Sequence, residues 1–531
     1  MAKKIFLIGI GGTGMRCLES FVHTCAMGMY DDTEVEMLAL DTDKENGNFI
    51  RLRQLVNCYN KIHAGSCGNN NNTLNNTFFS AKINYYEFSP GYTDTDSFAS
   101  LSNYTNLETY RNTDPSADFV DMFLSEDVRN MNLKHGYRAQ TQMGSLLMYY
   151  AIEQAAYEAK NNIRSKGTND LRKFLSSLNA GNKQPVFVFG SVFGGTGASS
   201  IPIIPLAFKK ANEIIFGKDN VVADNYFGSI VLTNYFKFDV KDNLKEVVAR
   251  SENFAINSQS ALMFYNEDAT VASTYKRLYL LGRQSSETRD VLDSENGGSK
   301  GVTGGENQKN PADYIELLAA FAAYNFFKEA YKPKPFEDGN GERFLCLSHD
   351  YGTNKLDFRL FAQEDEEVFK KKIGALTVAS LLNLKGTEFF SNIVNQEGNG
   401  FESVNSNGVE MNSLREYFAL YNVGLNENDN VVRGWLPQMN AGRGGQGIFF
   451  NDALFRCKTL KELNKFEYNS QLFVGDNPPK FDLKGKFLGM GGSIFDTVVT
   501  KFGKTDAEKR NNFGDLLSRT YSTIMNLYFN D

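Results

Sequence analysis

Residues 5–16 read IFLIGIGGTGMR, and this stretch decides how the first part of the chain folds. The apolar residues 5–8 predict a short buried strand, and the glycines that follow let the backbone turn into a helix. The first N–H groups of a helix have no partner inside the helix, so this junction is suited to binding an anion. Its candidate phosphate-binding residues are Gly11, Gly12, Thr13 and Gly14.

A second stretch of the same kind occupies residues 189–200, which read FGSVFGGTGASS. It follows the apolar residues 185–189, which predict another strand, and it precedes a second helical pattern. Two glycine loops on parallel strands of one sheet can converge on one polyphosphate, whereas a single-dinucleotide domain needs only one loop. The candidate phosphate-binding residues are Gly194, Gly195, Thr196 and Gly197, with Ser199 and Ser200 as further hydroxyl donors.

The first loop, taken alone, admits three interpretations. By spacing, residues 9–14 also match the G-x-G-x-x-G fingerprint of dinucleotide-binding domains. Asp41, after the predicted strand at 34–40, would then bind a ribose, as in a Rossmann-type NAD- or FAD-dependent oxidoreductase. A third interpretation needs no ligand, because the glycines would form only a tight turn, with Asp41 and Asp43 as a solvated strand end.

The first 331 residues alternate strand and helix patterns, which is typical of an α/β fold with a mostly parallel sheet. Residues 44–136 contain the Asn-rich run 68–76 and a strand pattern at 82–88, and we interpret them as an insertion at the sheet edge. Further strands are predicted at 226–232 and 277–282, and further helices at 141–162 and 244–264.

The strongest helix pattern begins at Asn310, a good N-cap that is followed by proline at the first helical position. Asp313 in the first turn favours the helix dipole. The Ala- and Phe-rich run to Phe327 is apolar on nearly every side, so we expect this helix at the centre of the molecule. The predicted domains are 1–331, a second α/β or α+β domain at 332–502, and a C-terminal helix at 503–531.

The composition excludes several classes of protein. The chain has 531 residues, of which 41% are hydrophobic, so we expect two or three folded domains. A net charge of −7 disfavours general nucleic-acid binding. The four histidines are scattered and the six cysteines contain no CxxC pair, so we expect free thiols and assign no metal-ligating residues. No secretory signal or membrane span is predicted, which indicates a cytoplasmic protein.

The two loops together resemble the tubulin/FtsZ superfamily, and most closely its divergent bacterial tubulin-like members. The family's GGTG signature stands here as FGGTGAS at 193–199, and IGIGGTG at 8–14 resembles its first nucleotide loop. The DTD at 41–43 resembles the family's NTD after the second strand. RAQTQMG at 138–144 is similar in position to the third loop, and TNYF at 233–236 resembles the TKPF loop near the sugar.

The resemblance covers roughly residues 1–331 and implies a Rossmann-type GTPase domain that binds GTP or GDP with Mg²⁺. It implies that Asp41 and Asp43 lie near the phosphates or Mg²⁺, and that Asn310 and Asp313 lie near the guanine base. It also implies head-to-tail self-assembly, and heterologous contacts of that kind produce open filaments of a cytoskeletal type. An adaptor protein bound through the 44–136 insertion or the C-terminal helix is a further expectation.

Departures from the family pattern bear on hydrolysis. Phe193 stands where the family has a small residue, and Ser199 replaces its last glycine. The family's acidic hydrolytic loop has no good match: position favours Asp338 as the catalytic residue, whereas sequence favours NKLDF at 354–358. Because phosphoryl transfer depends on positioning and charge, both GTP hydrolysis at the subunit interface and a non-hydrolysing assembly module stay open.

Overall fold

Seven parallel strands form the central sheet of the computed structural model. They are β1 (Lys3–Ile10), β2 (Thr33–Leu40), β3 (Lys82–Phe88), β4 (Pro185–Ser191), β5 (Tyr226–Leu232), β6 (Tyr275–Leu281) and β7 (Phe344–Leu347). Their order across the sheet is β3-β2-β1-β4-β5-β6-β7. The chain order therefore reverses between β1 and β4, as in doubly wound Rossmann-type sheets. The α/β class and the parallel sheet are confirmed.

The structure describes the chain with gaps. The described residues are 3–68, 74–101, 124–134, 136–163, 165–222, 224–237, 250–283, 289–290, 305–306, 308–337, 344–347, 363–383, 389–395, 399–423, 426–427, 430–431, 434–440, 447–448, 450, 498, 501–502 and 512–528. Helices cover both faces of the sheet. Those before residue 331 are α1 (Gly11–Ala26), α2 (Gly47–Cys67), α3 (Phe98–Leu101), α4 (Glu126–Arg129), α5 (Thr141–Lys160), α6 (Lys166–Asn179), α7 (Gly195–Ser200), α8 (Ile204–Phe216), α9 (Phe254–Glu267), α10 (Ala269–Thr274) and α11 (Tyr314–Ala330).

Side chains alternate between the two faces along β1, as the period of a strand requires. Ile5 and Leu7 join one buried cluster with α1, α2 and α11. Phe6 and Ile8 join the other cluster, with α5, α6 and α8. Because both faces are covered, the strands are apolar nearly throughout, which explains why their sequence patterns were easy to recognise.

The later helices pack on the same face as α1 and α2. They are α12 (Glu366–Leu382), α13 (Phe389–Asn395), α14 (Val409–Phe418), α15 (Trp435–Met439) and α16 (Phe513–Tyr528). In α16, the apolar residues Leu516, Leu517 and Ile524 are buried. The apolar side of this helix thus packs on the core of this chain, and an adaptor bound through the helix stays a prediction. The division into domains at 332 and 503 stays a prediction. Among the described helices, none has the length and apolarity needed to cross a membrane.

The range 44–136 contributes regular elements to the sheet. Helix α2, which no pattern predicted, connects β2 to β3, and β3 forms the edge strand that the sequence predicted at 82–88. Helix α6 was also missed, although Ser165 caps it by accepting a hydrogen bond from the Thr168 N–H at 3.1 Å. Residues 69–73 and 102–123 lie outside the described residues.

The central helix begins later than its sequence suggested. Asp313, not Asn310, is its N-cap, so that prediction was wrong. The Asp313 side chain accepts from the Ile315 N–H at 3.0 Å, and the Glu316 side chain accepts from the Asp313 N–H at 3.0 Å. This reciprocal capping box fixes the helix start more strongly than the Asn-Pro pair three residues earlier. The helix is buried along most of its length, as expected.

Candidate functional site

The two glycine loops lie side by side at the carboxyl ends of the neighbouring strands β1 and β4. Gly11 has a φ of +67°, and a Cβ built on it would lie 3.4 Å from Cβ of Thr196. The two loops therefore adjoin, and their convergence on one polyphosphate stays a prediction. The crevice outside the carboxyl ends of the strands, at the point where the strand order reverses, is where open α/β sheets bind ligands.

The eight candidate phosphate-binding residues of the two glycine loops differ in their exposure to solvent. A Cβ at Gly14 would lie 2.7 Å from the Gly9 carbonyl carbon, and one at Gly197 would lie 2.4 Å from the Ser191 carbonyl oxygen. These two glycines permit close packing of helix on strand and are buried, as are Gly11 and Thr13. The partly exposed residues, which a ligand can reach, are Gly12, Gly194, Gly195 and Thr196.

Helices α1 and α5, which begin at the first loop and at the third loop (138–144), start without a side-chain cap. The N-cap of α1 is Ile10, which has no polar side-chain atom, and the N-cap side chain of α5 makes no capping hydrogen bond with the described residues. Helices α2, α6 and α11 each carry such a cap. Uncapped first turns leave N–H groups and a positive dipole end for an anion.

The third loop packs against the second. Gly136 has a φ of +97°, and a Cβ on it would lie 3.6 Å from the hydroxyls of both Thr42 and Thr196. Arg138 and Ala139 also have positive φ values of 43° and 66°. A Cβ at Gly195 would lie 2.6 Å from the Ala139 nitrogen, so only glycine fits there. Unfavourable backbone conformations of this kind concentrate at ligand sites.

Asp41 is the least satisfied carboxylate of the site. Its Oδ1 accepts from the Asp43 N–H at 3.3 Å, whereas its Oδ2 has no hydrogen-bond partner among the described residues. Only 3% of Asp41 is exposed, so the interpretation as a solvated strand end is wrong. The pKa of Asp41 is raised to about 7, chiefly by burial and in part by the nearby charge of Asp43, and hydrogen bonds from Asp43 and Thr42 oppose this rise. A cation would relieve this cost.

Asp43 ties the end of β2 to the segment before the central helix. Its Oδ2 accepts from the Gly305 N–H at 2.7 Å, and its Oδ1 accepts from the Glu45 N–H at 3.0 Å. Only 3% of Asp43 is exposed. Asp43 therefore organises the wall of the site, and its predicted role near phosphates or Mg²⁺ stays a prediction.

Four carboxamides form a cluster beside the first loop. Asn46 donates to Gln308 Oε1 at 2.7 Å, and Asn48 donates to Asn310 Oδ1 at 3.1 Å. A Cβ at Gly12 would lie 3.3 Å from the Asn48 side-chain nitrogen. Sequence reasoning named only Asn310. Two of the missed members, Asn46 and Asn48, follow the DTD motif in the triplet NGN at 46–48, and the third, Gln308, lies two residues before Asn310. Only the long-range pairing reveals their position.

Asp313 is engaged within the protein. Besides capping α11, its Oδ1 accepts from Arg283 Nη2 at 2.8 Å, and both side chains of this ion pair are about nine-tenths or more buried. Asn310 is likewise bonded to Asn48 through its backbone N–H at 3.0 Å. The structural role of both residues is clear, and their predicted contact with a guanine base stays a prediction.

The departures from the family pattern have structural explanations. Phe193 is buried with its ring 4.6 Å from that of Phe254 and 5.4 Å from that of Phe236, so it packs into the core. Ser199 donates to the Thr196 carbonyl at 3.0 Å and is fully buried, as is Ser200. Ser200 Oγ has no hydrogen-bond partner among the described residues, and the expected donation of these two serines to an anion stays a prediction.

The candidate catalytic acid Asp338 lies outside the described residues, as do residues 354–358. Its neighbour Glu337 is described and exposed. Four of the six cysteines, Cys17, Cys25, Cys58 and Cys67, are free thiols as predicted.

No protein-family model matches this chain, and no curated protein matches it either. The fold is an α/β fold with a parallel sheet whose strand order is compatible with a Rossmann-like class, and it has two adjoining glycine loops.

Proposed function

We propose that this chain binds a guanosine nucleotide with Mg²⁺ at the carboxyl ends of β1 and β4, and that it assembles head to tail as tubulin-like proteins do. One observation supports the nucleotide part: the two loops adjoin, since a Cβ built on Gly11 of the first loop would lie 3.4 Å from Cβ of Thr196 in the second. A dinucleotide site needs one such loop, whereas two adjoining loops can surround a polyphosphate.

The residues of the site fit this ligand. The partly exposed Gly12, Gly194, Gly195 and Thr196 would contact phosphate oxygens, with the uncapped starts of α1 and α5 opposite the negative charge. Asp41, whose buried Oδ2 has no partner among the described residues, is the residue that would hold Mg²⁺. When bound, the metal ion supplies charge neutralisation of the phosphates. The carboxamide cluster offers donors and acceptors to a ribose or base.

The guanine preference and the filament rest on the resemblance of the GGTG loops to the tubulin/FtsZ superfamily. In that arrangement an acidic residue after the central helix of one subunit faces the nucleotide of the next, and Asp338 has that position in the sequence. A chain whose acid is misplaced would still assemble but would not hydrolyse GTP. The non-hydrolysing assembly module is therefore the second form of this proposal.

The test is the identity and fate of the nucleotide. The purified full chain is denatured, the released ligand is separated by anion exchange, and a second sample is incubated with GTP and Mg²⁺ for phosphate release and pelleting. We expect GTP or GDP in the released fraction and GTP-dependent pelleting. Phosphate release separates an enzyme from a static polymer. Recovery of NAD(H) or a flavin, or no ligand and no effect of GTP, contradicts the proposal.

A further inference from the structure

Three buried side chains join the first glycine loop to the central helix. Arg16 lies on α1 two residues after Gly14, Glu316 lies in the first turn of α11, and Tyr235 follows β5. Each is at most 2% exposed. Arg16 Nη2 donates to the Tyr235 hydroxyl at 2.5 Å, the hydroxyl donates to Glu316 Oε1 at 2.8 Å, and Arg16 Nε also pairs with Glu316 Oε1.

Arg16 keeps its charge in this setting. Burial alone would lower its pKa, but contact with Tyr235 and Glu316 outweighs burial and raises it. A buried ion pair is seldom the most stabilising choice, because well-packed apolar side chains of similar volume are often as stable or more so. The presence of a charged network here is better explained by the geometry that it fixes.

The network touches the segments that surround the site. Through Arg16 it holds the helix that starts at the first glycine loop, and through Glu316 it holds the start of α11. The other oxygen of Glu316 accepts from the Asp313 N–H at 3.0 Å, and Asp313 in turn pairs with Arg283. The carboxamide cluster immediately precedes this turn and adjoins Gly12. The network thus spans from the phosphate-facing loop to the polar segment beside the helix start.

We infer that Arg16, Glu316 and Tyr235 are positioning residues that fix the separation between the phosphate-binding loops and the start of the central helix, and so select a ligand that carries a base as well as phosphates. This inference rests on the proposed nucleotide site. A ligand that touches only the phosphate loops gains nothing from that separation, whereas one that also reaches the helix start depends on it.

The opposite end of α11 provides a matched control. Arg277, near the start of β6, pairs with Glu329 in the last turn of the helix at 2.7 Å, and both side chains are largely buried. Because the strands are parallel, this second ion pair lies near the amino ends of the strands, whereas the glycine loops lie at the carboxyl ends. This ion pair joins α11 to β6 at the end of the helix that is distant from the candidate site.

The experiment compares Glu316→Gln and Tyr235→Phe with Glu329→Gln in the full chain. Dissociation constants for GTP and for inorganic tripolyphosphate, both with Mg²⁺, are measured by competition below the melting temperature. We expect the GTP constant to rise about tenfold in Glu316→Gln and about threefold in Tyr235→Phe, with the tripolyphosphate constant changed by less than about twofold. Glu329→Gln lowers the melting temperature and leaves both constants unchanged.

Other outcomes overturn the inference in distinguishable ways. If Glu316→Gln raises the dissociation constants of GTP and tripolyphosphate equally, the network is only structural. The same conclusion follows if Glu329→Gln raises the GTP constant as much as Glu316→Gln does. In both cases the proposed function still stands. If tripolyphosphate does not compete in the wild type, the loops provide no independent binding and the inference fails. If the wild type binds neither ligand, the proposed function fails as well. Tyr235→Phe, which removes one hydroxyl, carries the test if Glu316→Gln does not fold.

Discussion

Two buried carboxylates on the same strand segment have opposite environments. Glu36, within β2, is 1% exposed and accepts hydrogen bonds from Asn84 at 3.1 Å, Tyr86 at 2.8 Å and Ser177 at 2.7 Å. Asp41, one residue past the end of β2, is 3% exposed and has an oxygen that no described residue satisfies.

The difference separates a structural carboxylate from a candidate ligand group. A buried polar group that is fully hydrogen-bonded stabilises one packing arrangement, whereas an unsatisfied one costs free energy in the folded protein. Natural proteins tolerate such a cost mainly where a ligand or ion relieves it. Along β2, the middle of the strand therefore serves the fold, and its carboxyl end serves the site.

The largest expected effect comes from removing the satisfied carboxylate. Glu36→Ala removes the acceptor of the Tyr86 and Ser177 hydroxyls, whereas Lys4 and Asn84 keep Glu34 as a partner. We expect a loss of about 3–5 kcal/mol in the free energy of unfolding, because buried donors are left unsatisfied, and denaturant titration measures it. Glu34→Ala, at a partly exposed side chain, is the control and should cost about 1 kcal/mol or less. Comparable losses in the two variants contradict the comparison.

Removing the unsatisfied carboxylate of Asp41 should instead raise the free energy of unfolding. The folded-state pKa of Asp41, about 7, lies above its ordinary value of 3.8. Its ionisation therefore costs stability above pH 7, and this cost is relieved as the pH falls toward 4. Asp41→Asn should raise the free energy of unfolding by up to about 4 kcal/mol at pH 8 and by less than about 1 kcal/mol at pH 4.

The same substitution should weaken Mg²⁺-dependent GTP binding about tenfold or more at pH 8, because it removes the oxygen assigned to the metal ion. Melting curves across the pH range and binding titrations with and without Mg²⁺ measure the two effects. A destabilised Asp41→Asn protein, or one whose stability gain does not change with pH, contradicts the assignment of Asp41 as an unsatisfied carboxylate.

A smaller effect is expected at Gly12, the second residue of α1. A Cβ there would lie 3.3 Å from the Asn48 side chain, on the accessible side of the loop. Gly12→Ala should weaken GTP binding about fivefold with little change in the melting temperature. Gly167→Ala is the matched control, because Gly167 is also the second residue of a helix, α6, and its Cβ would have only ordinary contacts at 3.8 Å.

The control should gain about 0.5–1 kcal/mol in stability, since alanine has a higher helix propensity than glycine. Its GTP affinity should not change. Equal effects of the two substitutions on GTP binding would show that Gly12 does not face the ligand.

Local sequence patterns located most of the strands. They misplaced the start of helix α11. β3 and β5 occupy the ranges that the sequence predicted. The strand β5 is buried on both faces and leaves a continuous apolar run, whereas the edge strand β3 is only partly buried and mixes polar with aromatic residues. The start of α11 was assigned to Asn310, although the capping pair Asp313 and Glu316 is present in the sequence as D-Y-I-E. Helix α6 was missed although its buried residues Leu171, Phe174, Leu175 and Leu178 recur at helical spacing, so the sequence pattern could have located it.

The sequence by itself determined the α/β class, most of the strands and the two glycine loops, because each depends on residues that are close together in the chain. Only the tertiary structure decided which polar groups meet. Asn48 and Asn310 pair across 262 residues, and Arg16 and Glu316 pair across 300. Contacts at such separations depend on strand order and on how the helices pack, and no local pattern encodes them. The candidate site lies at the carboxyl ends of the strands. Loops that are distant in the sequence meet there because parallel strands all end on the same side of the sheet.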